Sequence, residues 1–124
     1  VLFLKNYNSA SVSNSLIPGK TKLVWIETPS NPTMEVTDIR AISAVAHAAG
    51  ALVVIDNTVS TPVLTQPINH GADVVLHSGS KYLNGHGDLI AGALIVAPGQ
   101  EKLLKDIQGI RNDYGGILGA FESR

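Results

Sequence analysis

Three short apolar runs recur along the chain, and each of them ends at a cluster of polar residues. The runs occupy residues 22–26, 51–55 and 73–76. Uninterrupted apolar runs of this length are typical of strands that are covered on both faces of a parallel sheet. Residues 38–49 carry apolar side chains at helical spacing and are followed by Gly50, which predicts a helix between the first two strands. This order of elements predicts an α/β fold with a mostly parallel sheet and flanking helices.

The remaining segments are assigned from the same signals. Residues 90–96 form a fourth apolar run and predict a further strand. Residues 98–108 have helical spacing, and Gly109 is the predicted end of this second helix. Thr37 is the predicted N-cap of the first helix. Residues 1–21 are rich in serine and asparagine and are predicted to form a loop with weak local structure.

The composition excludes several classes of protein. Apolar residues make up 44% of the chain and charged residues 15%, which excludes a disordered chain. The net charge of −1 leaves no basic face for a nucleic acid, and the absence of cysteine excludes disulfide scaffolds. The four histidines lack the paired spacing of metal ligands. The longest uncharged apolar stretch, 89–97, is too short to span a bilayer, so we expect a cytoplasmic protein without metal or membrane partners.

Polar side chains with useful chemistry follow each of the first three runs. Asn31 lies in the loop after the first run, Asp56 closes the second, and Ser78, Ser80 and Lys81 follow the third. The carboxyl ends of parallel strands meet at the same edge of a sheet, and ligands bind there. We therefore expect an amide, a carboxylate, two hydroxyls and an amine to converge on one edge.

This set of groups favours a site for pyridoxal phosphate. A single loop lysine is more often a solvated surface residue, and an acid at a strand end is often a turn or cap residue. In combination, Lys81 can form a Schiff base, and Asp56 can pair with the protonated pyridine nitrogen. Ser78, Ser80 and the backbone N–H groups around Gly79 suit a phosphate.

Three segments resemble the Cys/Met-metabolism PLP-dependent enzymes. They are ETPSNP at 27–32, VIDNT at 54–58 and HSGSKYLNGHGD at 77–88. The family includes cystathionine γ-synthase, cystathionine γ- and β-lyases, methionine γ-lyase and O-acetylhomoserine sulfhydrylase. The match covers about residues 20–120 in the family's order and spacing. It implies part of the large PLP-binding domain of a fold-type I, aspartate-aminotransferase-like enzyme.

The resemblance also implies roles for single residues. Lys81 would be the catalytic Schiff-base lysine, and Asp56 would hold the pyridine nitrogen. Ser78 and Ser80 would bind the cofactor phosphate, and Asn31 would lie beside the ring hydroxyl. Ser80 replaces the family's usual threonine and keeps the hydroxyl group.

The implied reaction is β/γ-elimination or γ-replacement on sulfur-containing amino acids or activated homoserine, in transsulfuration or methionine metabolism. The substrate would be a small amino acid, and the enzyme a homo-oligomer, dimer or tetramer. Residue 1 is valine, and apolar residues at 117, 118 and 121 resemble a truncated helix, so we expect a piece of a longer protein. Residues 1–124 would form part of the large domain, without the family's N-terminal segment and C-terminal domain, and would be inactive alone.

Two alternatives remain open from the sequence. The chain could be a non-catalytic truncated gene product or an assembly fragment. It could also come from another fold-type I enzyme such as an aminotransferase. Most aminotransferases carry an arginine shortly after the Schiff-base lysine, and residues 82–88 contain none, which disfavours this second alternative.

Overall fold

The computed structural model describes residues 1–4 and 8–123. Within these residues, four strands and four α-helices follow one another, together with two short turns of other helical type. The strands are β1 (Leu23–Glu27), β2 (Leu52–Asp56), β3 (Val74–Ser78) and β4 (Gly92–Val96). The helices are α1 (Ser9–Ser15), α2 (Ile39–Ala48), α3 (Thr61–Leu64) and α4 (Glu101–Tyr114), and the turns are Pro67–His70 and Gly79–Leu83.

The four strands form one sheet in the order β1-β2-β3-β4. The first three strands are parallel, and β4 runs antiparallel to β3. Asp56 on β2 pairs with Glu27 on one side and with Leu76 on the other, while Ser78 pairs with Gly92. The predicted α/β fold with a mostly parallel sheet is confirmed, and the carboxyl ends of β1, β2 and β3 share one edge.

The core lies on one face of this sheet. Alternate strand residues point to the same face, and Ile26, Val53, Ile55 and Val75 belong to one buried cluster with residues of α1 and α2. Apolar residues of α2 face the sheet, and its Ile42 is fully buried. The opposite face is more open, because Leu23 and Trp25 of β1 and Leu94 of β4 are 48%, 56% and 48% exposed.

Helix α2 has a different N-cap from the predicted one, and α4 covers Glu101–Tyr114 rather than the predicted 98–108. Asp38, rather than Thr37, caps α2, because its Oδ1 accepts a hydrogen bond from the Ala41 amide at 3.0 Å. The second predicted helix does not end at Gly109. It continues to Tyr114 and ends at Gly115, whose φ of 70° suits glycine. An internal glycine costs only about 1 kcal/mol relative to alanine, so it does not by itself end a helix.

Two terminal predictions were wrong. Residues 9–15, predicted to lie in a loop, form α1. The side-chain oxygen of Asn8 accepts a hydrogen bond from the Ser11 amide, and Val12 is buried in the core. The predicted truncated helix at the other end is absent from the described residues, since residues 120–123 form a turn. In the first case burial of one apolar residue and a side-chain cap outweigh the weak helix propensity of serine and asparagine.

Candidate active site

Asp56 lies at the carboxyl end of β2 with its two carboxylate oxygens in different surroundings. Its Oδ1 accepts hydrogen bonds from the backbone N–H of Thr58 at 3.0 Å and from the Thr58 hydroxyl at 2.6 Å. Its Oδ2 receives no hydrogen bond from any residue in the described part of the chain. The side chain is half-buried. One oxygen is therefore fixed by the protein, and the other is available to a ligand.

The Thr58 hydroxyl also connects β2 with β3. Its Oγ1 accepts a hydrogen bond from the Ser78 backbone N–H at 2.8 Å while donating its own proton to Asp56. The residue that orients the carboxylate thus also holds the end of the strand that leads to Lys81. Sequence reasoning missed Thr58. A threonine two positions after an aspartate is a signal for this kind of turn, in which the carboxylate accepts from the second residue beyond it.

Lys81 lies in the turn Gly79–Leu83, directly after β3. Its backbone angles, φ −101° and ψ −123°, interrupt the helical geometry of that turn. The side chain is exposed, and within the described residues its Nζ forms neither a hydrogen bond nor an ion pair. An amine without a competing partner at the end of a strand is free to react with a carbonyl group.

Ser78 and Ser80 differ in how their hydroxyl groups are used. The Ser78 Oγ has no hydrogen-bond partner among the described residues. The Ser80 Oγ accepts from the Ala91 amide at 2.9 Å and donates to the Ala91 carbonyl at 3.3 Å. The Ser80 amide donates to the same carbonyl at 3.2 Å. Ser80 thereby ties the lysine turn to the residue that precedes β4.

Gly79 allows this close approach. A Cβ added to Gly79 would lie 3.0 Å from the Cβ of Ala91 and 3.3 Å from its carbonyl carbon and oxygen. The group that occupies the space beside Gly79 is therefore the chain's own Ala91. The phosphate-binding role of Ser80 stays a prediction, and it requires the hydroxyl proton to leave the Ala91 carbonyl.

Asn31 lies in the loop that follows β1. It is exposed, and its side chain forms no hydrogen bond with the described residues. The loop begins beside Asp56, because the Thr28 amide donates to the Asp56 carbonyl at 3.3 Å. The peptide bonds Thr28–Pro29 and Asn31–Pro32 are both cis. No described contact joins the Asn31 side chain to the groups on β2 and β3, so its role stays a prediction.

His77 is a further titratable residue near this edge. It is only 3% exposed, and burial lowers its pKa from the ordinary value of 6.5, while the negative charge of Asp56 opposes part of that shift. His77 is therefore neutral at pH 7 and does not neutralise the Asp56 carboxylate.

The free groups at this edge fit pyridoxal phosphate. A carboxylate oxygen of Asp56, the hydroxyl of Ser78 and the amine of Lys81 have no partner within the described residues. Asp56 and Ser78 end two neighbouring parallel strands, and Lys81 lies in the turn that follows the second of them. They match in chemistry the pyridine nitrogen, the phosphate and the aldehyde of this cofactor. No cluster of three or more metal-ligating side chains exists in the described part of the chain.

Comparison with known proteins decides the family. Residues 2–124 match the family described as Cys/Met metabolism PLP-dependent enzyme. The chain belongs to this family. Among curated relatives, the chloroplastic cystathionine beta-lyase of Arabidopsis thaliana is 48% identical over 83% of this chain and 22% of its own length. The L-methionine gamma-lyase of Treponema denticola is 43% identical over 99% of this chain and 31% of its own length.

Solved structures agree with this assignment. The apo form of CalE6, a methionine gamma lyase from Micromonospora echinospora, superposes with a TM-score of 0.87 and 39% identity, over 94% of this chain and 32% of that one. A cystathionine gamma-lyase from Lactobacillus plantarum gives a TM-score of 0.86 and 40% identity, over 92% and 29%. The Cys/Met family depends on pyridoxal phosphate, and these relatives are lyases of sulfur amino-acid metabolism.

The chain spans less than a third of the length of the curated relatives described above. Its match to them includes the whole edge that carries Asp56, Ser78 and Lys81. Within residues 1–4 and 8–123, no helix has the length and apolarity to cross a bilayer.

Proposed function

We propose that this chain carries the cofactor-anchoring part of a PLP-dependent enzyme that acts on sulfur-containing amino acids or on activated homoserine by β/γ-elimination or γ-replacement. The observation that supports it is the free Lys81 amine on the same sheet edge as the free Asp56 oxygen. When bound, the cofactor supplies an electron sink for the carbanion that forms at the substrate α carbon.

Lys81 has two tasks in this proposal. Its amine holds the cofactor covalently between turnovers, and after release it removes a proton from the substrate α carbon and returns one during the reaction. Both tasks need a side chain that no protein group restrains. The exposed Nζ, without a partner in the described residues, meets that need.

Asp56, Ser78, Ser80 and Asn31 bind and orient the cofactor. The free Oδ2 of Asp56 would accept the hydrogen bond of the protonated ring nitrogen, and this charge pairing would favour the protonated form of that nitrogen. The Ser78 hydroxyl would donate a hydrogen bond to the phosphate. The Ser80 hydroxyl would donate a second one after its proton turns away from the Ala91 carbonyl. Asn31 would lie beside the ring hydroxyl.

The same proposal extends to domain and partners. Residues 1–124 form part of the large PLP-binding domain of a cytoplasmic homo-oligomer, dimer or tetramer, whose substrate is a small amino acid. Binding of the substrate carboxylate and side chain needs parts of the longer relatives that lie outside the matched segment. We therefore expect these 124 residues to be inactive alone, because positioning supplies much of an enzyme's rate.

Titration with pyridoxal phosphate tests the assignment of Lys81. The purified chain should develop a visible absorbance band, and reduction with borohydride followed by peptide mapping should place the label on Lys81. Lys81→Ala should lose the band, while Lys105→Ala, which removes an exposed lysine from α4, should keep it. A label scattered over several lysines, or no band, would contradict a cofactor site formed by these residues.

A further inference from the structure

The Thr58 hydroxyl connects two residues of the candidate site. It donates to Asp56 Oδ1 at 2.6 Å and accepts from the Ser78 amide at 2.8 Å. A hydroxyl group has one proton and two lone pairs. Its proton is already used at Asp56 and one lone pair at Ser78, so Thr58 acts through its neighbours.

We propose that Thr58 is a positioning residue that presents the free oxygen of Asp56 to the cofactor ring nitrogen and fixes the separation between Asp56 and the lysine turn. This inference rests on the proposed function, because it assumes that Asp56 meets that nitrogen. It concerns a residue that the resemblance did not assign.

The first physical reason is the orientation of the carboxylate. Two donors from Thr58, the amide and the hydroxyl, converge on the same oxygen of Asp56. Hydrogen bonds to a charged acceptor are shorter and stronger than those between neutral groups. Because two hydrogen bonds hold Oδ1, the carboxylate group does not rotate freely, and the free Oδ2 keeps a fixed orientation.

The second reason is the link between the strands. The last register pair of β2 and β3 is Asp56 with Leu76, so the strands no longer pair where Ser78 begins the approach to Lys81. The bond from the Ser78 amide to Thr58 continues the connection beyond the sheet. It therefore holds the lysine turn against the end of β2.

A purely structural role in the loop is already filled by another residue. Asn57 is fully buried, and its Nδ2 donates to the carbonyls of Thr61 and Thr65 at 3.1 and 2.9 Å. Its amide donates to the Leu76 carbonyl at 2.9 Å. Asn57 thus stabilises the shape of the loop, whereas the Thr58 hydroxyl forms its hydrogen bonds with Asp56 and Ser78 at the site.

The first test needs no cofactor. In Thr58→Val the Ser78 amide loses its acceptor, so its hydrogen exchange should become about tenfold faster or more, a ratio that corresponds to the loss of one hydrogen bond. Thr58→Ser should retain the slow exchange. Thr65→Val makes the same chemical change in the same loop, where the hydroxyl forms no described bond, and should leave Ser78 unaffected. Unchanged exchange in Thr58→Val would overturn the link.

The second test compares two probes, pyridoxal phosphate and its 1-deaza analogue, in which a C–H group replaces the ring nitrogen. The wild-type chain should prefer the natural cofactor by about tenfold, since only this molecule offers Asp56 a charged hydrogen bond. Asp56→Asn should abolish the preference. Thr58→Val should reduce it severalfold, and Thr58→Ser should restore it.

The outcomes separate the two proposals. If Thr58→Val weakens both probes equally, Thr58 supports the fold alone and the positioning role is wrong. If wild-type protein binds neither probe at Lys81, the proposed function fails for this chain, whatever the exchange of Ser78 shows. Thr58→Ala serves the same comparison if the valine variant does not fold, as judged by its circular dichroism.

Discussion

Asp56 and His77 lie on neighbouring strands and differ in their surroundings. Asp56 is half-buried, and its Oδ1 receives two hydrogen bonds from Thr58. His77 is buried, which favours its neutral form. A neutral His77 does not compete for the free oxygen of Asp56, which stays available to a ligand at this edge.

The lowered pKa of His77 predicts a pH dependence of stability. The unfolded chain takes up a proton at this histidine near pH 6.5, and the folded chain only at lower pH. The stabilisation from a neutral His77 is present above that value and declines as the pH falls below it. Urea unfolding at about pH 7.5 and 5.5 should show a smaller pH effect in His77→Gln than in wild type. Exposed His86→Gln is the control, and equal slopes for His77→Gln and wild type would contradict the prediction.

At this scale the sequence identified the groups but not their connections. Asp56, Ser78 and Lys81 follow apolar runs, so strand ends could be inferred from the pattern. The bonds of Thr58 to Ser78 and of Ser80 to Ala91 depend on how strands align and how the 79–91 segment returns. An apolar sequence pattern shows where strands lie but not how neighbouring strands align, so these contacts could not be predicted.

Among the elements, the segment after β2 owes its shape to one buried amide side chain. Asn57→Ala would remove a fully buried side chain whose Nδ2 donates to the carbonyls of Thr61 and Thr65, and would leave the Thr65 carbonyl without this donor. We expect a loss of about 2–3 kcal/mol in the free energy of unfolding. Exposed Asn69→Ala should cost less than about 0.5 kcal/mol in the same urea titrations. Similar losses in the two variants would contradict the bracing role.

Helix α4 offers a test of its corrected boundary. Gly109 lies inside the helix, with open space around the position of a Cβ, whereas Gly115 ends it with φ of 70°. Gly109→Ala should therefore favour the helix by about 1 kcal/mol and raise its helical content, and Gly115→Ala should not. The NMR chemical shifts of residues 110–114 report whether these residues are helical in each variant. Non-helical shifts there in both variants would mean that the helix ends at Gly109.

The elements that were predicted correctly are those with a strong apolar pattern. All four strands and α2 are within a few residues of their predicted positions, because burial and periodicity point to the same structure. Helix α1 was missed because its serines have weak intrinsic helix propensity, and only packing of Val12 into the core reveals it. The end of α4 was missed because a glycine inside a helix looks the same in sequence as one that ends it.

The whole molecule has one well-covered and one open sheet face. Trp25, the single tryptophan of the chain, is 56% exposed beside Leu23 on the open face. Exposed apolar patches promote association. We expect light scattering of the purified chain to rise with concentration and to rise less for Trp25→Lys. Tyr114→Lys, which removes an exposed aromatic residue from the end of α4, should have little effect. Equal scattering by all three proteins would contradict a role for this face.

The antiparallel return of β4 has a consequence for how this chain can vary in length. Ser78 pairs with Gly92, and the Ser80 hydroxyl accepts a hydrogen bond from the Ala91 amide, so the two ends of the intervening segment are held together. Residues added or removed at its exposed tip, 85–88, therefore change the length of the loop and leave its two ends in place. A single residue inserted between Ser78 and Lys81 would instead change the position of the amine relative to the end of β3.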